Sequence, residues 1–198
     1  GDIYQVNLCR VLTADSDQPL LGLANQLQVA NPAPFASYLK LPGIEIASAS
    51  PELFLEKKAA VIKSTPIKGT AKSDNFGEKD RAENVMIVDL MRNDFGSICK
   101  PGSVDVPRLL ASEAHPGLFH LVSDVVGSLR EDVKWEQITS ALLPAGSISG
   151  APKLSAIKSI KEIEKVERGP YCGVIGWVEG DQALLSVGIR IFWSKEDG

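Results

Sequence analysis

Residues 64–93 read STPIKGTAKSDNFGEKDRAENVMIVDLMRN. This stretch passes from a strand pattern through a polar segment into a helix pattern, and that change of period sets the fold class. Residues 60–65 read as a strand that ends at the Pro66 break. Residues 71–78 are polar and read as a mobile loop. Residues 79–93 are dense in good helix formers and read as a helix. Lys68 stands alone between Ile67 and Gly69 where the strand closes. A lysine at the end of an inner strand, among apolar and small neighbours, loses its proton easily. Burial disfavours the ammonium, and the free amine is a nucleophile. Gly69 would let a ligand approach closely. Periodicity alone leaves an exposed lysine as the simpler alternative.

Toward the N-terminus, Tyr4, Val6 and Leu8 alternate with Gln5, Asn7 and Cys9, as in a strand with one apolar face. A helix is expected over 19–30, stopped by the Asn-Pro-Ala-Pro of 31–34. Strands are expected over 35–40, 44–49 and 53–57. Toward the C-terminus, Pro101 and Gly102 mark a loop. A short strand is expected over 104–109, another within 117–130, and a helix over 135–143. Residues 144–153 are a glycine-rich lead into a helix over 152–167, with Leu154, Ile157, Ile160, Ile163 and Val166 on one stripe. Strands over 172–178 and 183–193 flank a turn at 179–181. This order favours α+β, with largely antiparallel sheets packed with helices.

The chain has 198 residues, 44% hydrophobic and 23% charged, which suits one domain or a large part of one. A net charge of -4 gives no basic footprint for nucleic acid. The apolar runs are too short to span a bilayer, and the opening residues do not read as a signal peptide. Three cysteines without CxxC spacing read as reduced thiols, which points to the cytoplasm. The chain opens inside a strand pattern, and the turn signal Asp197-Gly198 lacks the partner strand a hairpin needs. These features read as a piece of a longer protein.

Four groups are candidates for chemistry. Asp80 and Glu83 are three residues apart on the long helix, so their carboxylates sit about 60° apart on one face. Such a pair suits Mg²⁺, which takes one or two carboxylates and keeps waters for its substrate. The alternative is a solvated helix face with acids at the favourable N-terminal end. GSISGAP, residues 146–152, offers backbone N–H groups to an anion at a helix start, or is a glycine loop capped by Ser149. His120 lies in the apolar run FHLVSDVV and reads as a satisfied core histidine; His115 is the other histidine. Glu52 follows Pro51 at the mouth of a strand. Against an apolar wall it would keep its proton and act as a general acid, and otherwise it is a turn glutamate.

Taken together, GDIYQVNL, SASPELFL, TPIKGTA, DRAENVMIVDLMRND, HLVSDVVG, PAGSISGAPK, RGPYCGVIGW and GIRIF resemble, in order along the chain, the chorismate-utilising enzymes. That family includes anthranilate, aminodeoxychorismate, isochorismate and salicylate synthases. The resemblance implies an anthranilate synthase component I-like fold, incomplete at both ends, with 1–198 as one partial catalytic domain. Anthranilate-forming members carry alanine where Lys68 stands, and aminodeoxychorismate-forming members carry lysine. The resemblance therefore implies that chorismate and ammonia give 4-amino-4-deoxychorismate, on the way to para-aminobenzoate and folate. Lys68 would add covalently at C2, and Glu52 would protonate the departing C4 hydroxyl. Thr70, His120, Ser147, Tyr171, Gly173 and Arg190 match substrate-pocket positions. Glu83 would be a ligand of Mg²⁺, with Asp80 at a neighbouring acid position. Ammonia would come from a glutamine amidotransferase, as a subunit or a fused domain. The family continues with a glycine-rich strand and an acidic helix that supplies another Mg²⁺ ligand. The 198 residues alone are therefore expected to turn over little. Anthranilate formation and a non-catalytic module that docks a glutaminase are the alternatives. Glu52, Lys68, Glu83 and Arg190 together argue against the second, since a scaffold needs none of them.

Overall fold

The computed structural model describes residues 2–195; the turn expected at Asp197-Gly198 lies outside them. In chain order the elements are β1 (Gln5–Val6), α1 (Leu20–Ala30), β2 (Phe35–Leu41), β3 (Ile44–Ser50), β4 (Leu53–Lys58), β5 (Val61–Thr65) and β6 (Ile67–Ala71). Then follow α2 (Glu78–Ile98), β7 (Asp105–His115), β8 (Leu118–Ser128), α3 (Trp135–Leu142), α4 (Gly146–Ser149) and β9 (Gly150–Ala151). Last come α5 (Lys153–Ile163), β10 (Val174–Glu179), β11 (Gln182–Val187) and β12 (Ile191–Lys195). Strand pairing is antiparallel throughout, so the α+β expectation holds.

A seven-stranded sheet runs β10-β11-β4-β5-β8-β6, with β7 on the other edge of β8. A three-stranded sheet runs β12-β3-β2. β5 and β6 lie end to end along β8, and Pro66 separates them because it has no N–H for the ladder. Lys68 is thus inside a second strand, not at the end of the first. The helix α2 lies on the sheet and buries Val88, Phe95 and Ile98 among Leu55, Ile62 and Val125, with Ile87 fully buried as well. It runs five residues past the expected end, because burying Phe95 and Ile98 outweighs the helix cost of Gly96, about 1 kcal/mol.

Other boundaries moved for tertiary reasons. β7 reaches His115, and the first of its two register shifts, between Asp105 and Arg108, absorbs Pro107. The last expected strand divides at Gly188, with β11 in the large sheet and β12 in the small one. β1 is only two residues long and pairs with β9, which leaves Tyr4 82% exposed. The stripe on α5 is open at Leu154 and Ile163, and α5 instead approaches the protein through fully buried Ala156. This helix stops at Ile163 because the Glu164 carboxylate turns to accept from Arg168 Nε at 2.9 Å and from the Cys9 N–H at 2.7 Å. Residues 72–77 do not form a wholly solvated loop, since Phe76 is buried.

One ion pair joins α2 to α5. Lys153 Nζ meets Asp94 Oδ2 at 2.5 Å, and both side chains are 14% exposed. Breaking a buried pair leaves the remaining charge without compensation. Asp94→Ala or Lys153→Met should therefore cost about 3–5 kcal/mol in urea unfolding. Replacing both residues by apolar side chains should recover most of that loss. Equal losses in the double and single variants would contradict this.

Candidate active site

Two adjacent strands pass from one sheet to the other at the same place. β3 continues into β4 through Pro51 and Glu52, and β11 continues into β12 through Gly188–Arg190. The Val187 N–H donates to the Glu52 carbonyl at 3.1 Å, and the Ala49 N–H donates to the Arg190 carbonyl at 3.0 Å. Ladder pairing lapses at such a crossing, so side chains there need not follow the alternation of either sheet. The crossing holds Glu52 and Arg190.

Glu52 is 5% exposed. Burial pushes its carboxyl up to about 7, against the pull of the Ser147 hydroxyl, the Lys68 charge and the Ile67 N–H. Lys68 is half-buried. Desolvation lowers its pKa, and the charges of Glu52 and Glu83 hold it up. A carboxyl near half-protonation at neutral pH beside an amine pushed toward its free-base form has the chemistry that a general acid and a nucleophile require.

His120 is 1% exposed. Its Nδ1 lies 3.0 Å from Thr70 Oγ1. Burial, the nearby His115 and the Arg190 charge lower its pKa to about 4, so the ring is neutral at physiological pH. The expectation of a satisfied core histidine fails at one atom, because Nε2 is buried without a partner. Ser147 Oγ is likewise buried and makes no hydrogen bond of regular geometry, although the hydroxyl lies beside Glu52. Orphaned buried polar atoms are rare in folded proteins, and two among the expected pocket residues point to an absent polar ligand. The Arg190 guanidinium makes no hydrogen bond or ion pair among the described residues. Its φ of 49° is uncommon for a residue other than glycine and accords with a constrained position.

Tyr171 and Gly173 sit on the neighbouring loop. That loop is tied to the crossing by Cys172 N–H to Gly188 O at 2.8 Å and Gly188 N–H to Gly173 O at 2.7 Å. Gly188 is needed there, because a Cβ would lie 2.7 Å from Pro170 O.

Two expectations are corrected. Gly69 does not open space for a ligand. A Cβ there would meet Asp80 Cβ at 3.0 Å and Leu121 Cβ at 3.2 Å, so this glycine lets α2 pack on β6. GSISGAP offers fewer N–H groups to an anion than expected. The Ile148 and Ser149 N–H groups donate to Ala145 O, and Gly150 is pressed against Gln5 in the β1–β9 pair. Ser149 does not cap α5 either, since its hydroxyl donates to Ala145 O at 2.9 Å.

The two helix acids separate in role. Asp80 Oδ2 accepts the Gly77 N–H at 3.2 Å and so closes the first turn of α2. Glu83 is partly exposed, with Lys79 at 3.6 Å. Among the described residues no three or more His, Cys, Asp or Glu side chains gather as a metal site. Mg²⁺ needs only one or two protein carboxylates, and Glu83 fits as one of them. A groove of about 840 Å³ lies elsewhere, between α2 and β7, and none of these site residues lines it.

Sequence reading gave no role to Asn84, Thr65 or Asp124. Asn84 is fully buried and donates to Leu121 O at 3.1 Å, which fixes α2 on β8 beside His120. The signal for Asp124 was present, since a carboxylate inside FHLVSDVV needs buried donors.

The family model for chorismate binding enzymes matches residues 1–197. The chain is 41% identical over 191 residues to aminodeoxychorismate synthase component 1 of Klebsiella aerogenes, covering 90% of this chain and 42% of that protein. It is 38% identical over 191 residues to anthranilate synthase component 1 of Acetivibrio thermocellus, covering 90% of this chain and 39% of that protein. The crystal structure of anthranilate synthase component I from Streptococcus pneumoniae TIGR4 superposes with a TM-score of 0.83 at 32% identity, over 92% of this chain and 43% of that one. The chain thus spans about two-fifths of the length of the curated relatives it matches.

His120 should stay neutral through the usual histidine range and protonate only near about 4. Nitrogen-15 NMR of the ring across a pH series measures this. A midpoint near the unperturbed value of about 6.5 would contradict the burial argument.

Proposed function

The chain belongs to the chorismate binding enzymes, and on that premise we propose that it is the chorismate-aminating part of an aminodeoxychorismate-forming synthase. Chorismate and ammonia would give 4-amino-4-deoxychorismate and water, leading to para-aminobenzoate and folate. The observation that carries this reading is Lys68, half-buried beside the protonatable Glu52. Relatives that form anthranilate are about as similar to this chain as those that form aminodeoxychorismate. The choice of branch therefore rests on that lysine.

The free amine of Lys68 attacks C2 of chorismate while the C4 hydroxyl departs, taking the Glu52 proton and leaving as water. Ammonia then attacks C4, the C2–N bond breaks, and the electron pair returns to the Lys68 amine. The ammonium formed at C4 gives its proton back to Glu52, which restores both groups. A lysine on C2 denies that carbon to ammonia and directs nitrogen to C4. Arg190 offers a planar fork for a substrate carboxylate. His120 Nε2 and the Ser147 hydroxyl supply unspent polar contacts. Thr70 orients the His120 ring from Nδ1, and Tyr171 and Gly173 form the neighbouring wall. Mg²⁺, with Glu83 as a protein ligand, would neutralise the substrate's ring carboxylate. Asp80 supports that position by closing the helix turn. A glutamine amidotransferase, separate or fused, would deliver ammonia. We assign the protein to the cytoplasm, in keeping with three free cysteines and with no membrane-crossing helix among the described residues.

The test uses the full-length protein with chorismate, Mg²⁺ and an ammonium salt. Wild type should give no anthranilate fluorescence and should give para-aminobenzoate once the lyase is added. Lys68→Ala should lose that product or turn to anthranilate. Direct anthranilate from the wild type would overturn the reading in favour of an anthranilate synthase.

Glu52 acts in its protonated form and Lys68 as the free amine, so kcat/KM should be bell-shaped in pH, and Glu52→Gln should remove the inflection near about 7 that belongs to the carboxyl. Glu52→Gln should lower kcat by about a hundredfold or more. The raised carboxyl also favours the folded state at acidic pH, a contribution lost as pH rises through about 7. A kcat/KM profile with the same inflections in Glu52→Gln as in wild type would contradict the acid role.

A further inference from the structure

We infer that Asp124 is a positioning residue for Lys68, acting through the Thr65 hydroxyl across the break at Pro66. The inference rests on the proposed role of Lys68.

β5 and β6 follow the same edge of β8 with no change of register across Pro66. Ser64 faces Val125 and Ile67 faces Val122, so Thr65 stands opposite Asp124. Pro66 donates nothing to the ladder, and the Ser123 N–H reaches its carbonyl only at 3.4 Å. The backbone is therefore weakly tied just before the site lysine. A side-chain pin takes over, with Thr65 Oγ1 donating to Asp124 Oδ1 at 2.7 Å.

The acceptor is itself held from the other side. Arg108 on β7 donates to Asp124 through Nε at 2.9 Å and Nη2 at 3.0 Å, and Lys63 Nζ lies 3.1 Å away. Asp124 is 7% exposed, and such a carboxylate is tolerable only with these donors. A β-branched apolar pair at 65 and 124 would pack this face without a buried charge. The charge brings direction, because it fixes where Thr65 ends and Pro66 begins.

Downstream of the pin the register slips by one residue. Ile67 faces Val122, but Thr70 faces His120. Lys68 and Gly69 fall within this bulge, a device that re-aims side chains beside active sites. One end of the bulge is anchored by Thr70 on His120. The other end is set by the pairing of Ile67 with Val122, and behind it by the Thr65–Asp124 bond. Releasing that bond lets the Lys68 amine drift from its line of attack while the pocket stays intact.

The experiment compares Thr65→Val, Thr65→Ser, Asp124→Asn and Lys68→Ala in the full-length protein. Chorismate, Mg²⁺ and ammonium are supplied, and the lyase reports product. Thr65→Val should lower kcat per folded molecule by about tenfold to a hundredfold, with KM for chorismate within about twofold. Thr65→Ser should restore kcat at an unchanged melting temperature. A merely structural pin would lower the melting temperature and the folded fraction and leave kcat per folded molecule unchanged. If Asp124→Asn fails to fold, Thr65→Val and Thr65→Ser decide. Wild-type kcat in Thr65→Val, with activity lost in Lys68→Ala, would overturn the positioning role alone. Wild-type product and rate in Lys68→Ala would overturn the reading of Lys68, and this inference with it.

Discussion

Where β3 becomes β4 and β11 becomes β12, two paired strands leave one sheet and enter another side by side. The Val187–Glu52 and Ala49–Arg190 backbone bonds, with Ser48 Oγ on Ile189 O at 3.1 Å, hold the two breaks together. A strand that changes sheets gives up ladder bonds at the crossing, and the alternation of buried and exposed side chains lapses there. An acid can then face the core side of a β-structure, and an arginine can stand close by with no ion pair among the described residues. The neighbouring loop with Tyr171 and Gly173, and the short α4 with Ser147, pack around this crossing.

The electrostatics follow from burial. Glu52 and Lys68 each shift toward neutrality because each leaves water, and each opposes the other's shift through its charge. Full ion pairing would lock the proton on lysine and leave neither acid nor nucleophile. Desolvation moves the carboxyl and the amine toward their neutral forms together. His120, neutral and anchored at one nitrogen by Thr70, adds polarity without adding charge.

Much of the fold was legible because local and tertiary preferences agree. The helix formers of α2, the strands β2 to β5 and the turn before β11 were read from residue chemistry alone. Failures came where a distant partner decides. Glu164 leaves its helix for Arg168 and Cys9, and neither contact is visible in a window around residue 164. Gly150 reads as loop flexibility until Gln5 is found against it. Gly69 reads as ligand access until Asp80 and Leu121 fill the space. The candidate site was legible through motif resemblance and not through periodicity, which made Lys68 an exposed lysine and His120 a satisfied one. The Thr65–Asp124 pin was hidden for a related reason. A threonine before a proline looks like ordinary turn chemistry, and only strand register puts a buried carboxylate opposite it.

The central claim is that the Lys68 amine bonds to C2 of chorismate before nitrogen arrives. The direct measurement incubates the full-length protein with chorismate and Mg²⁺ in the absence of ammonia and glutamine, followed by quenching and peptide mass spectrometry. The account predicts a mass gain of chorismate minus water on the peptide carrying Lys68, which disappears when ammonium is added before the quench. An unmodified Lys68 peptide from a protein that still aminates chorismate when ammonium is supplied would contradict it.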